Sequence, residues 1–108
     1  MYLGCYNEVM SDITLNKVLL EEVCKKNRVE FLGVFGSVAR GDGRLDSDVD
    51  VLIRFSPQVK IGYFKLYDIE REIANSFGRR IDLVTQDALS PYIRDRVYSE
   101  LQSIYGQP

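Results

Sequence analysis

The stretch FGSVARGDGRLDSDVDVLI, Phe35 to Ile53, decides how this chain is read. It sets Gly36-Ser37 and Arg40 ahead of Asp42, Asp46, Asp48 and Asp50, and the last two alternate with Val49 and Val51. The run Asp48 to Arg54 reads as a strand ended by Ser56-Pro57. Alternation puts Asp48, Asp50 and Leu52 on one face and Val49, Val51 and Ile53 on the other. Residues two apart lie ~6.6 Å from each other along a strand, and rotamers bring their side chains closer. At about 5 Å and an effective dielectric near 20, two carboxylates repel by about 3 kcal/mol. A divalent cation removes that cost, and all-oxygen ligands suit Mg²⁺ or Mn²⁺.

Working outward, Arg28 to Phe35 is β-branched and aromatic and reads as the preceding strand. Gly36-Ser37 breaks it, Val38 to Gly41 is expected to form a short helical turn, and Asp42 to Ser47 a polar loop. Such a bend leaves backbone N–H groups unpaired; with the Ser37 hydroxyl they make an anion site. Gly36 lets phosphate oxygens approach the backbone. Arg40 can add a charge-assisted bond to phosphate or carboxylate. Upstream, Ser11-Asp12 can cap a helix reaching about Asn27, with Leu15, Val18, Leu19 and Val23 on one face.

Downstream, Leu66, Ile69, Ile73 and Phe77 have helical spacing in a helix of about Ile61 to Phe77, with Gly78 as its stop. Arg80 to Thr85 reads as a third strand, and Asp82 interrupts its apolar run. Beside the second strand at ~4.8 Å, and with matching faces, it would bring three carboxylates together. Such a cluster can hold two cations at the roughly 4 Å separation used for in-line phosphoryl or nucleotidyl transfer. Ser90-Pro91 is an N-cap and first-turn pair for a helix carrying Ile93 and Val97. Leu101 either continues that helix or yields to a short edge strand, Gln102 to Tyr105. The order implies an α+β fold with α/β-type alternation: a mixed β-sheet with helices packed on it.

Composition narrows the function. A chain of 108 residues is expected to be a single domain spanning 1–108, and 45% hydrophobic content suits a globular core. Fourteen basic against 16 acidic residues, net −2, argue against general nucleic-acid binding. Histidine is absent, which removes the usual general base, the Ser/His/Asp and Cys/His triads and most transition-metal sites. Cys5 and Cys24 form no metal or redox motif, so a reducing compartment is expected. The start MYLGCYNEVM lacks the pattern of a signal peptide, and no apolar run approaches membrane-spanning length. A cytoplasmic location without membrane association is the expectation.

Other readings of the acids and glycines fail on detail. An EF-hand loop started at Asp46 would place Val51 where Gly is required and Pro57 where Glu is required. Gly36 and Gly41 have P-loop spacing, yet Asp42 and Gly43 follow where Lys and Ser/Thr belong. Asp42 and Asp46 read as solvated loop residues. Tyr63, Phe64, Tyr67 and Tyr92 are expected in the core or in helix packing, as such aromatics usually are.

Gly36-Ser37-Val38-Ala39-Arg40-Gly41 followed by Ser47-Asp48-Val49-Asp50-Val51 resembles the nucleotidyltransferase signature of the DNA polymerase β superfamily, and most closely the minimal (MNT-type) nucleotidyltransferases. Arg80-Ile81-Asp82-Leu83-Val84 is similar to the family's third-carboxylate strand, and the likeness spans about Val29 to Tyr105. The resemblance implies a DNA polymerase β-like fold with a short final strand near Gln102 to Tyr105. It implies that Asp48, Asp50 and Asp82 are catalytic metal ligands, with Mg²⁺ (two ions) as cofactor and ATP as donor. Gly36 and Ser37 would bind the β/γ-phosphates, while Arg40 would touch nucleotide or brace the loop. The implied partner is a HEPN-type toxin carrying the acceptor tyrosine, so the chain would be an antitoxin acting by AMPylation. Two other functions stay open: an inactive partner-binding antitoxin module, and a nucleotidyltransferase for small molecules of the antibiotic type. Homo- or hetero-oligomers are compatible with either.

Overall fold

The computed structural model describes residues 16–41 and 48–107. Ser11, Asp12, Leu15, Cys5 and the loop with Asp42 and Asp46 lie outside them. The described helices are α1 (Lys17–Lys26), α2 (Gly36–Arg40), α3 (Tyr63–Phe77) and α4 (Pro91–Glu100), with a 3₁₀ turn at Gln86–Ala88. The strands β1 (Val29–Phe35), β2 (Val49–Phe55), β3 (Ile81–Thr85) and β4 (Gln102–Gly106) form a four-stranded sheet in the order β3-β2-β1-β4. β1 is antiparallel to β2 and β4, whereas β2 and β3 are parallel. Parallel neighbours need a crossover, and α3 provides it. This is the expected mixed sheet with helices packed on it.

Strand alternation divides the core between the two sheet faces. Leu32, Val34, Val49, Val51 and Ile53 pack with Leu20, Val23 and Cys24 of α1 and Ile69, Ile73 and Phe77 of α3. On the opposite face Phe31 and Leu52 pack with Leu89 and with Val97 of α4, flanked by Phe35, Val84 and Leu101. Asp50 shares this second face with Leu52, and Asp82 shares it with Val84. The smaller core therefore supports the acidic end of the sheet.

Most boundaries follow local chemistry. Gly78 caps α3 in the left-handed region, φ 69°, and its N–H donates to the Ala74 carbonyl. Ser90 Oγ accepts from the Tyr92 N–H at 3.2 Å, with Pro91 in the first turn. Leu101 is extended, so α4 stops at Glu100 and the chain re-enters the sheet as edge strand β4.

Three expectations are corrected. α1 starts at Lys17, because the extended Asn16 caps it, its Oδ1 accepting from the Leu19 N–H at 3.0 Å. Its buried stripe is Leu20, Val23 and Cys24, whereas Val18 is exposed; two positions along a helix turn a side chain by about 200°. Tyr63, Phe64, Tyr67 and Tyr92 are exposed rather than packed. On α3 the cause is rotational, since positions 63, 64 and 67 each lie more than about 100° around the axis from Ile69. Among the described residues no helix is long and apolar enough to cross a membrane.

Candidate active site

Parallel pairing of β2 with β3 sets Asp50 opposite Asp82, while antiparallel pairing of β2 with β1 sets Asp50 opposite Phe35. The residue after Phe35 is Gly36, so the acid pair and the Gly-Ser bend meet at one end of the sheet. They line a cleft of about 490 Å³ together with Arg40, Ile93, Arg96 and Glu100. Val84, Leu89 and Val97 form its apolar wall.

Gly36 is required by this geometry. Its φ is +78°, and a Cβ there would lie 2.2 Å from Asp50 Oδ2. The bend thus presses on the carboxylate of the next strand, which only a residue without a side chain allows. α2 buries Val38 and Ala39 and ends at Gly41 in the left-handed region.

Electrostatics single out Asp50. Burial pushes its carboxyl above the usual aspartate range; the charges of Asp82, Asp48 and Glu100 push it further, and Arg40 opposes them. A half-buried carboxylate, Asp50, and an exposed one, Asp82, are thus held in register at one end of the sheet. Hard oxygen donors of this kind fit Mg²⁺, which is commonly held by one or two carboxylates plus substrate phosphates.

The three expected ligands are not gathered equally. Asp50 and Asp82 share the cleft, whereas Asp48, at the exposed start of β2, pairs with Arg80 at 3.3 Å. Among the described residues no three acidic or thiol side chains stand close enough together to hold a metal ion. Three like charges repel, and the outermost carboxylate takes the nearest guanidinium. Arg40 donates from Nη1 to Glu100 Oε2 at 2.9 Å, so it braces the α2 segment against α4.

Glu100 is the residue that sequence reasoning missed. Oε1 accepts from the Gly36 N–H at 3.3 Å, and its side chain is only 15% exposed. Nothing around Ser99-Glu100 signals a site, because the contact closes across 64 positions of chain. A second cavity, about 440 Å³, lies at the far ends of β2 and β3 beside Phe55, Ile61 and Leu66, and its lining contains no pair of carboxylates.

Comparison with known proteins agrees with this architecture. Residues 17–104 match the nucleotidyltransferase domain family. The chain is 33% identical over 94 residues to the protein adenylyltransferase MntA of Thermococcus cleftensis, covering 87% of this chain and 90% of that protein. Its fold matches a chain of a toxin–antitoxin crystal structure with AMP-PNP, with TM-score 0.68 and 18% identity, covering 86% of this chain and 75% of that one. It also matches a chain in the structure of a tri-AMPylated Shewanella oneidensis HEPN toxin in complex with MNT antitoxin, with TM-score 0.60 and 14% identity, over 84% and 70% of the two chains. The mixed sheet with helices packed on it is consistent with a DNA polymerase β-like nucleotidyltransferase fold. The chain belongs to the nucleotidyltransferase domain family, as a minimal, MNT-type domain homologous to MntA-type protein adenylyltransferases.

Proposed function

We propose that this protein is an Mg²⁺-dependent adenylyltransferase that moves AMP from ATP to a tyrosine hydroxyl of a HEPN-type toxin, and so acts as its antitoxin. The observation that carries the reading is the register of Asp50 with Asp82 beside the Gly36-Ser37 bend. Similarity to MntA supports protein as the acceptor. The location in this reading is the cytoplasm.

In this reading Asp50 and Asp82 would hold the cation, and Asp48 would join them from the rim by exchanging Arg80 for the metal. Bound Mg²⁺ would lower the pKa of the attacking hydroxyl and stabilise charge on the departing pyrophosphate. The chain supplies position and charge. Gly36, having no side chain, would let the phosphates approach the bend while its own N–H stays with Glu100, the Ser37 hydroxyl would meet them at the mouth of the cleft, and Val84, Leu89 and Val97 limit water on its inner side. Asp82 is more exposed than Asp50, and with no histidine in the chain the attacking hydroxyl would lose its proton to Asp82, to water or to phosphate.

Incubation with ATP, Mg²⁺ and a HEPN-type partner is expected to add AMP mass to a partner tyrosine. Asp50→Asn and Asp82→Asn are each expected to abolish that addition. The exposed Tyr63, Phe64 and Tyr67 favour a second reading, a module that neutralises by binding alone. Neutralisation in cells by Asp50→Asn protein, undiminished from wild type, would select it.

A further inference from the structure

Glu100 closes α4, the end of a helix where the backbone dipole disfavours a carboxylate. It also adds negative charge beside Asp50 in a cleft that already contains Asp82. Both costs are offset by specific contacts. Oε1 accepts from the Gly36 N–H at 3.3 Å, and Oε2 accepts from Arg40 Nη1 at 2.9 Å, with Arg96 Nε at 4.0 Å. Gly36 and Arg40 are the first and last residues of α2. One carboxylate therefore grips both ends of a five-residue helix, a length far too short to persist without tertiary support.

We propose that Glu100 is a positioning residue for nucleotide binding: it clamps α2 so that the Gly36-Ser37 bend stays aligned with Asp50 and Asp82. The assignment rests on the reading of that bend as the phosphate turn. Since Oε1 and Oε2 engage Gly36 and Arg40, Glu100 acts through α2 and not on the reacting atoms.

The test uses the full chain as wild type, Glu100→Ala, Glu100→Gln, Arg40→Met and the Arg40→Met/Glu100→Ala double variant. Two readouts are taken: the Gly36 amide resonance, and the affinity for a non-hydrolysable ATP analogue with Mg²⁺. In Glu100→Ala the Gly36 amide proton should move upfield, and nucleotide affinity should fall about tenfold, the scale of one charge-assisted hydrogen bond. With partner present, KM for ATP should rise by more than kcat falls. Glu100→Gln keeps an acceptor for Gly36 and should recover most of the affinity. Adding Arg40→Met to Glu100→Ala should lower affinity little further, because the two side chains act as a unit. An unmoved Gly36 amide, unchanged or tighter binding by Glu100→Ala, or fully additive losses in the double variant would overturn the proposal. Should Glu100→Ala not fold, Glu100→Ser, too short to reach Gly36, is read in its place: an unmoved Gly36 amide or undiminished affinity refutes the clamp. Wild-type protein that binds no nucleotide would instead refute the proposed function, while the Gly36 resonance still tests the clamp.

Discussion

Gly36 and Asp50 stand so close that a Cβ on the glycine would sit 2.2 Å from the aspartate Oδ2 and 3.2 Å from its Cγ. The Gly36-Ser37 bend and the aspartate strand are thus one packed unit. Gly36→Ala is expected to lose about 1–2 kcal/mol of stability from the left-handed backbone alone. It should also turn the Asp50 carboxylate aside, so AMP transfer should fall at least about 100-fold, as for loss of a preorganised electrostatic group. Chemical denaturation and a transfer assay on the same preparation check both.

Asp50 is the residue at which function opposes stability. Burial, then Asp82 and Asp48, raise its folded-state pKa above the unfolded value. The folded state therefore binds more protons in that window, and stability falls as pH rises through the raised folded pKa. Asp50→Asn should melt higher than wild type at pH 7 without nucleotide, and the difference should vanish in acid. Nucleotide binding should show the opposite trend, weakening as pH falls through the same pKa. Thermal melts and titration calorimetry across pH 4–8 read both trends.

Cys24 should be inert. Its thiol is fully buried, and burial, helped by the Glu21 charge, pushes its pKa up to about 12. In Cys5→Ser protein a disulfide reagent at pH 8 should label nothing until denaturant opens the α1–sheet contact. Labelling in native buffer at the rate of a free thiol would mean that α1 does not cover the sheet as described.

Substitutions along α3 should separate by face. Ile73 is fully buried against the sheet, so Ile73→Ala should cost about 2–5 kcal/mol. Tyr63 is 92% exposed, so Tyr63→Ala should stay within about 0.5 kcal/mol of wild type. Urea denaturation of the two variants checks the rotation of the helix.

The features legible in the sequence were those with a local cause. Period-two alternation placed Val49, Val51 and Ile53 on one face and Asp50 with Leu52 on the other, and the two cores follow that division. Gly78 marked its helix end by conformational preference, and Ser90-Pro91 by a local side-chain cap and the fixed φ of proline. Tertiary choices were not legible. Asp48 and Asp50 look equivalent two residues apart, yet only Asp50 lies beneath α2, while Asp48 at the strand start meets Arg80. Exposure of Tyr63 and Phe64 depends on which α3 stripe the sheet covers. The Glu100 clamp depends on the return of α4 to the β1–α2 bend, which local residue pattern does not encode.

The central claim is that Asp50, Asp82 and the Gly36-Ser37 bend form one nucleotide site, and a crystal structure with Mg²⁺ and a non-hydrolysable ATP analogue tests it most directly. The account predicts Asp50 and Asp82 oxygens at about 2.0–2.1 Å from Mg²⁺, with triphosphate oxygens on the Gly36-Ser37 bend. A nucleotide seated elsewhere, for example beside Ile61 and Leu66, or a cation that leaves both carboxylates untouched, would contradict it.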